Sequence, residues 1–466
     1  MRRSTYRCPS GRLSVPSAAD RDTKHNPEVE MNTGDSAWIL ISTALVLFMV
    51  PGLALFYGGL VAEKNVIAIM AESFVAIGVV TVLWALVGYP LVFGSDHGGL
   101  IGGLGHVLLQ GIGARPSSWD PHVPGLLYMA YQGMFAVISP ALIIGAFTSR
   151  MHFRGYIAFI ALWSLLVYCP FAHWVWGGGF LGPSGLGAVD FAGGAVVHET
   201  AGASALAAVL YLGRRRDADR PHNVPLILLG AGILWFGWFG FNAGSAGSAG
   251  PVATSALANT QLAAAAAMVL WMAVEWRHRG KPSGIGVATG AVAGLATITP
   301  AAGYVPAWAA LVIGAAAAVL CYGAVQLKYV FRYDDALDVV GVHMVAGVIG
   351  VLLTGVFASL AVNPAGVDAG LAQFGRQAVL AGIGLAYPFV ATIAILWLVD
   401  RVVGLRVGPD EEAVGLDLGE YGETAYTLDS LSGPPARLRT NGSAPDSGRA
   451  GGTEQAVASR RPPTGQ

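Results

Sequence analysis

Val197-His198-Glu199-Thr200-Ala201-Gly202 and Val342-His343-Met344-Val345-Ala346-Gly347 are nearly the same phrase at two distant points of one chain. Each lies in a long apolar segment and places one histidine where hydrocarbon would surround it. An ionisable side chain at membrane depth is costly and rare, so a matched pair calls for a shared cause. An internal repeat supplies one. Repeated halves commonly put a solute path at their interface, near the bilayer midplane. The two histidines are therefore the first candidates for a conduction path.

The composition agrees with a membrane chain. Hydrophobic residues make up 54% and charged residues 12%, and 64 glycines suit closely packed membrane helices. Apolar runs long enough to cross about 30 Å of hydrocarbon recur from end to end. The net charge is −1 and no basic patch is interleaved with aromatics, so nucleic acid is not an expected partner. Cys8, Cys169 and Cys321 show no metal-ligand spacing. Neither a zinc site nor a disulfide framework is expected, and no cofactor. Residues 1–35 carry Arg2, Arg3, Arg7, Arg12 and Arg21 without an apolar core, unlike a secretory signal peptide. They read as a disordered extension or, up to Glu30, as sequence upstream of a true start at Met31.

Apolar windows predict an all-α polytopic membrane protein with about eleven spans. These windows fall at 36–60, 66–94, 124–148, 155–177, 193–213, 223–244, 254–276, 283–300, 306–328, 338–360 and 377–403. The eighth is the weakest, diluted by Gly284, Gly286, Gly290 and Gly294. Loops after odd-numbered spans hold Lys64, Arg150, Arg154, Arg214, Arg215, Arg216, Arg220, Arg277, Arg279, Lys281, Lys328 and Arg332, while the opposite loops hold little beyond Arg115 and Arg376. The positive-inside rule then puts the amino terminus outside and the carboxyl terminus inside. An odd count fits two five-helix repeats, the second inverted, plus one helix. The predicted division is a transmembrane domain over 36–403, an ordered cytoplasmic segment over 404–430 and a disordered tail over 431–466, the last rich in Pro, Gly, Ser and Arg.

Imidazoles can accept or donate a proton, and a pair across a narrow pore could relay one or hydrogen-bond a small polar solute. His173 has no repeat partner and reads as structural. Asp190 precedes Gly193-Gly194 at the opening of the fifth span, where a carboxylate can both cap amides and attract cations. Trp176, Trp238, Phe239 and Phe241 are placed at the outer ends of their spans beside Asn242 and Ser245. Such a setting offers π faces and a hydroxyl acceptor to a small cation losing water. Tyr131, Gln132 and Phe135 of the third span join the same region. Glu72 reads as a packing or subunit-interface group. Glu199 points about a hundred degrees away from His198 around the helix and has no assigned role.

The chain resembles the ammonium transporters, specifically the Amt branch of the Amt/Mep/Rh superfamily. The resemblance is carried by Ala54-Leu55-Phe56-Tyr57-Gly58-Gly59-Leu60, Trp174-Val175-Trp176-Gly177-Gly178-Gly179 and Asp190-Phe191-Ala192-Gly193-Gly194. It continues through Trp238-Phe239-Gly240-Phe241-Asn242-Ala243-Gly244-Ser245 and Asp338-Val339-Val340-Gly341-Val342-His343. It implies a homotrimer with one pore per subunit in the plasma membrane. Also implied are an external recruitment site for NH4+ at Phe135, Trp176 and Ser245, supported by Asp190, and gating rings Phe135 and Phe241. The twin histidines His198 and His343 would lie below. Trp176 and Ser245 favour Amt over Rh. Gly404-Leu405-Arg406-Val407 and Gly415-Leu416-Asp417 resemble the family's cytoplasmic tail, where a PII-type signalling protein can dock. Glu199-Thr200 departs from the apolar and small polar residues expected after the histidine.

Carrying an intact cation through a dry pore costs many kcal/mol unless it is paired, and no acidic run lines the fifth and tenth spans. Deprotonation at the recruitment site, passage of NH3 and reprotonation inside is the favoured mechanism. A sensor of ammonium and a Rh-like gas channel are the rival readings. An enzyme would need a nucleophile or metal cluster that the sequence does not offer.

Overall fold

The structure is a computed structural model and describes residues 31–216 and 220–426. The expectations for residues 1–30, for residues 427–430 of the segment over 404–430 and for the tail over 431–466 lie outside the described residues. Ten described helices are long and apolar enough to cross a membrane. They are α1 Thr33–Leu60, α2 Glu63–Phe93, α3 Gly125–Phe147, α4 Phe153–Val175, α5 Gly194–Leu212 and α6 Val224–Gly244. After these come α7 Pro251–Arg279, α9 Ala307–Phe331, α10 Val340–Phe357 and α11 Leu371–Val402. The eighth predicted span is the short apolar helix α8, Gly284–Ile298. At 15 residues it reaches only about 22 Å. Its glycines serve packing, since a Cβ on Gly290 would lie 2.5 Å from Trp271 and one on Gly294 would lie 2.6 Å from Ala267. The helix tucks against α7 and is nearly all buried.

Helix α1 starts earlier than its apolar pattern suggests. Asn32 Oδ1 accepts from the amides of Gly34 and Asp35 at 2.8 and 3.1 Å, so residues 33–35 belong to the first helix and not to the 1–35 segment.

The helix order repeats, α1–α5 and then α6–α10, with α11 added. The first helices of the two halves, α1 and α6, pack together through glycine. A Cβ on Gly230 would sit 2.3 Å from the Phe56 amide nitrogen, and one on Gly237 would sit 2.2 Å from Met49. Without a hydrophobic drive between helices in lipid, such close approach is what holds them together. The fifth helices meet in the same way, with the Gly202 position 2.2 Å from the Met344 amide nitrogen. Large apolar side chains that remain exposed, among them Leu40, Phe48, Phe74, Leu229, Phe236 and Val390, project from the outer helix faces. Hydrocarbon tolerates that arrangement.

Lys64, Arg150, Arg215 and Arg406 gather at the end of the bundle opposite Trp176 and Ser245. There Arg150 and Arg215 share Asp334, each at 2.8 Å. Burial alone would raise the Asp334 carboxyl, but the Arg215 hydrogen bonds and the charges of Arg215 and Arg150 hold it well below the ordinary range.

Residues 404–421 fold onto this same end. Leu405, Val407 and Leu416 are buried, and the short helices α12 Pro409–Val414 and α13 Leu416–Tyr421 follow. Asp417 accepts from the amides of Ile67 and Ala68 at 3.0 and 2.8 Å, meeting free N–H groups in the first turns of α2. Lys64 Nζ donates to the carbonyls of Glu412 and Ala413 at 3.1 and 2.9 Å. Truncation after Val403 removes these bonds and should lower the thermal unfolding midpoint of the detergent-solubilised protein by several degrees. Truncation after Ser430 should leave it within error of the full chain. Equal midpoints would mean that the 404–430 segment adds nothing to the fold.

Candidate functional site

A cavity of about 530 Å³ opens at the end of the bundle that holds the start of α1, and Trp119, Asp120, Gln132, Trp176, Ser245 and Tyr304 help line it. Trp176 ends α4, and its indole N–H donates to the Asp190 carbonyl at 2.9 Å. Ser245 follows the last residue of α6. Its hydroxyl donates to the Phe241 carbonyl at 2.8 Å, which leaves oxygen lone pairs for an incoming donor. The Tyr131 hydroxyl lies 3.3 Å from the same oxygen.

Asp190 performs a local task with both oxygens. Oδ1 accepts from Gly193 and Gly194, Oδ2 from Ala195 and Val196, all at 2.8–3.0 Å. Helix α5 begins inside the protein, where its first amides have no water. The carboxylate replaces that water. Burial pushes the Asp190 carboxyl above its ordinary value, although its four amide donors oppose the shift.

The cavity floor is aromatic. The Phe135 ring is 5.8 Å from Trp176, nearly perpendicular at 82°, and 4.5 Å from Phe241. Phe135 and Phe241 are both fully buried and close the way down. Beneath Phe241, 5.9 Å away, is His198. The imidazoles of His198 and His343 face each other at 5.2 Å with planes within 15°. Both nitrogens of His198 and Nδ1 of His343 have no hydrogen-bond partner among the described residues. A cavity of only about 10 Å³ adjoins them, walled by Met49, Leu53, Ile138, Leu142 and Val292 as well as the histidines. That is about the least space that holds one water. The path is narrow, and apolar except for the two rings.

Each histidine sits in a π-turn at the start of its helix, Gly194–Glu199 in one and Val340–Met344 in the other. Widened turns of this kind are rare and concentrate at functional sites.

The arrangement is a polar and aromatic vestibule above a small, histidine-lined space. Residues 37–426 match the Ammonium Transporter Family. The chain belongs to that family. It is 49% identical over 410 residues to the ammonium transporter of Aquifex aeolicus, covering 86% of this chain and 95% of that one. Among solved structures it is similar to Saccharomyces cerevisiae Mep2, with a TM-score of 0.78 and 37% identity over 82% of this chain and 89% of that one. A structure titled Sensor Amt Protein shares the fold at a TM-score of 0.78, but with 28% identity, over 84% and 98% of the two chains.

Within this ammonium transporter the structure brings together Phe135, Trp176 and Ser245 at the vestibule, Phe241 beneath them and the two histidines below. It corrects the reading of Trp238 as an outer aromatic. The residue is buried and stacks on His198 at 5.2 Å and 22°, with its indole N–H donating to Thr299 Oγ1 at 2.9 Å. One helical turn separates it from Phe241, and helix pitch carries it down to the histidine. His173 is fully used, bonded to the Val92 carbonyl at 2.7 Å and to Asp96 at 2.9 Å. Glu199 turns from the pore toward α11. A Cβ on Gly384 would lie 2.9 Å from its carboxyl carbon, and neither carboxyl oxygen has a partner.

Sequence reasoning missed Asp335. Its carboxylate accepts from the amides of Val339 and Val340 at 3.1 and 2.7 Å, as Asp190 does at the other helix. The signal was present in the spacing, 190 to 198 in one half and 335 to 343 in the other. Burial, and then the neighbouring Asp338, push the Asp335 carboxyl up to about 7. A raised carboxyl pKa gives stability that is full below its unfolded value and is lost as pH rises through about 7. Thermal midpoints of Asp335→Asn should therefore fall less between about pH 4 and pH 8 than those of the natural protein. Parallel pH profiles would refute a buried, titrating Asp335.

Proposed function

We propose that this transporter takes up NH4+ at Phe135, Trp176 and Ser245, strips one proton there, and passes NH3 between His198 and His343. The observation that carries the reading is the dry constriction below Phe241, with unpartnered imidazole nitrogens as its polar groups. A bare cation entering such a space loses its hydration with no carboxylate to replace it. Neutral ammonia loses far less, and its lone pair and N–H groups find matching partners on the imidazoles. Above, the Trp176 face and the Ser245 oxygen suit a cation that still carries its four N–H donors. Asp190 fixes this geometry from behind, through its own carbonyl and through the start of α5. The proton given up passes to water in the vestibule, and NH3 takes up another from water at the opposite end.

The lysines and arginines at the opposite end favour a cytoplasmic position for that end and an external one for the vestibule, in a plasma membrane. A homotrimer with one pore in each subunit fits the family. The segment predicted over 404–430, whose described residues 404–426 fold against α2, is a regulatory element and the docking place for a PII-type signalling protein. The transporter reading stands ahead of the sensor reading because the 49% identical relative is named a transporter, whereas the structure titled a sensor is 28% identical.

Purified protein in liposomes tests this. His198→Ala or His343→Ala should lower ammonium uptake about tenfold, the value of one lost hydrogen bond, or open the pore to other cations. Natural rates and selectivity in both variants would sink the histidine path. Trp176→Leu should raise the half-saturating ammonium concentration several-fold to tens-fold, because a cation–π contact is worth about 0.5–1 kcal/mol exposed and about 2 when desolvated. It should lower the maximal rate less. An unchanged half-saturating concentration would remove Trp176 from recruitment.

A further inference from the structure

Two carboxylates line the vestibule, and they are not equivalent. Asp190 has both oxygens engaged by four backbone amides. Asp120 has one oxygen engaged, Oδ1, which accepts from the His122 amide at 3.1 Å. Its Oδ2 accepts no hydrogen bond from the described residues and lies over Gly247, two positions beyond Ser245. A Cβ on Gly247 would come within 2.5 Å of that oxygen, and the glycine holds φ +71°, a left-handed conformation that an L side chain rarely adopts. The space for the carboxylate is therefore built into the backbone.

The loop that carries Asp120 is tied down on both sides. Trp119 donates its indole N–H to the Phe93 carbonyl at 2.8 Å, and its amide bonds Ser117 Oγ at 3.1 Å. The Val123 amide reaches the Asp120 carbonyl at 3.3 Å, and the Asn32 amide reaches the His122 carbonyl at 2.9 Å. Asp120 forms no ion pair with a described lysine or arginine. The ionisable neighbours that act on it are His122 and Asp35, the second of which adds negative charge. A half-buried carboxylate with one free oxygen gains most from a cation partner.

We propose that Asp120 is an outer monovalent-cation site of the vestibule, which gathers ammonium and delivers it to Trp176 and Ser245. The inference rests on the recruitment reading given above. A charge inside a walled cleft focuses field lines and raises the local concentration of counter-ions, and so the rate of capture. A carboxylate does not separate ammonium from potassium. That sorting belongs to the aromatic floor and the histidines, where a cation must lose both its water and a proton. Asp120 sets how much cation is present, not which cation passes.

The test is initial-rate uptake of 15N-ammonium into proteoliposomes at external ionic strengths of about 10 mM and about 300 mM, where the Debye length falls from about 30 Å to well below 10 Å. Asp120→Asn should raise the half-saturating concentration about threefold to tenfold at low ionic strength, and much less at high. Its maximal rate should be unchanged. Asp120→Glu should restore most of the loss. A half-saturating concentration unchanged by Asp120→Asn at low salt, or a shift of equal size at both salts, would overturn the proposal. If Asp120→Asn does not assemble, Asp120→Ser carries the same comparison. Trp176→Leu, measured alongside, separates the two ideas. A shift with Trp176→Leu and none with Asp120→Asn refutes the outer site alone, whereas no shift with either refutes recruitment in this vestibule.

Discussion

Two helices, α5 and α10, start within the protein and not at its surface, and their first amides must be satisfied without water. Asp190 and Asp335 do this, each accepting from amides at the start of its helix. A helix end buried without partners would cost several kcal/mol at each unpaired amide. With the partners present, both helices can open deep in the bundle with a widened turn, and that turn is where each histidine sits. The position of the two histidines thus depends on two carboxylates at the starts of their helices.

The same economy of polar groups explains the division of the conduit. In the vestibule the side chains are mixed: tryptophan, tyrosine, serine, glutamine and two carboxylates share one cavity. Below Phe241 the walls are aliphatic and aromatic, and polarity is confined to two stacked rings. Trp238 covers one face of His198 and is itself anchored by Thr299. An imidazole stacked on both an indole and a second imidazole has little rotational freedom. Rigidity of this kind is needed where a solute makes one or two hydrogen bonds in passing.

Glycine carries the rest. The halves touch along α1 and α6 and again along α5 and α10, at distances that only a hydrogen in place of a side chain permits. The packing of α8 has the same origin, since its glycines bring it close to α7 and leave it buried. At the opposite end, Asp417 reaches the first turns of α2, and the segment after α11 becomes part of the packed structure through that contact and through Leu405 and Leu416.

Much of this was legible in the chain itself. Apolar length and the placement of lysine and arginine specify spans and their alternation because hydrocarbon admits nothing else. The repeated histidine phrase reveals the repeat, since residues related by the same fold keep the same local chemistry. Asp190 as a cap also follows from local sequence, because its amide partners are three to six residues away. Other features are long-range and left no local trace. Trp238 and Phe241 are one turn apart and look alike in sequence, yet one flanks His198 from the side and the other roofs it. Gly384 makes room for Glu199, and Gly247 makes room for Asp120, across large separations in sequence. The sequence determined which residues are polar at membrane depth and how often the chain crosses. Only the tertiary structure decided which of them share one path, because that depends on the crossing and close approach of helices that are distant along the chain.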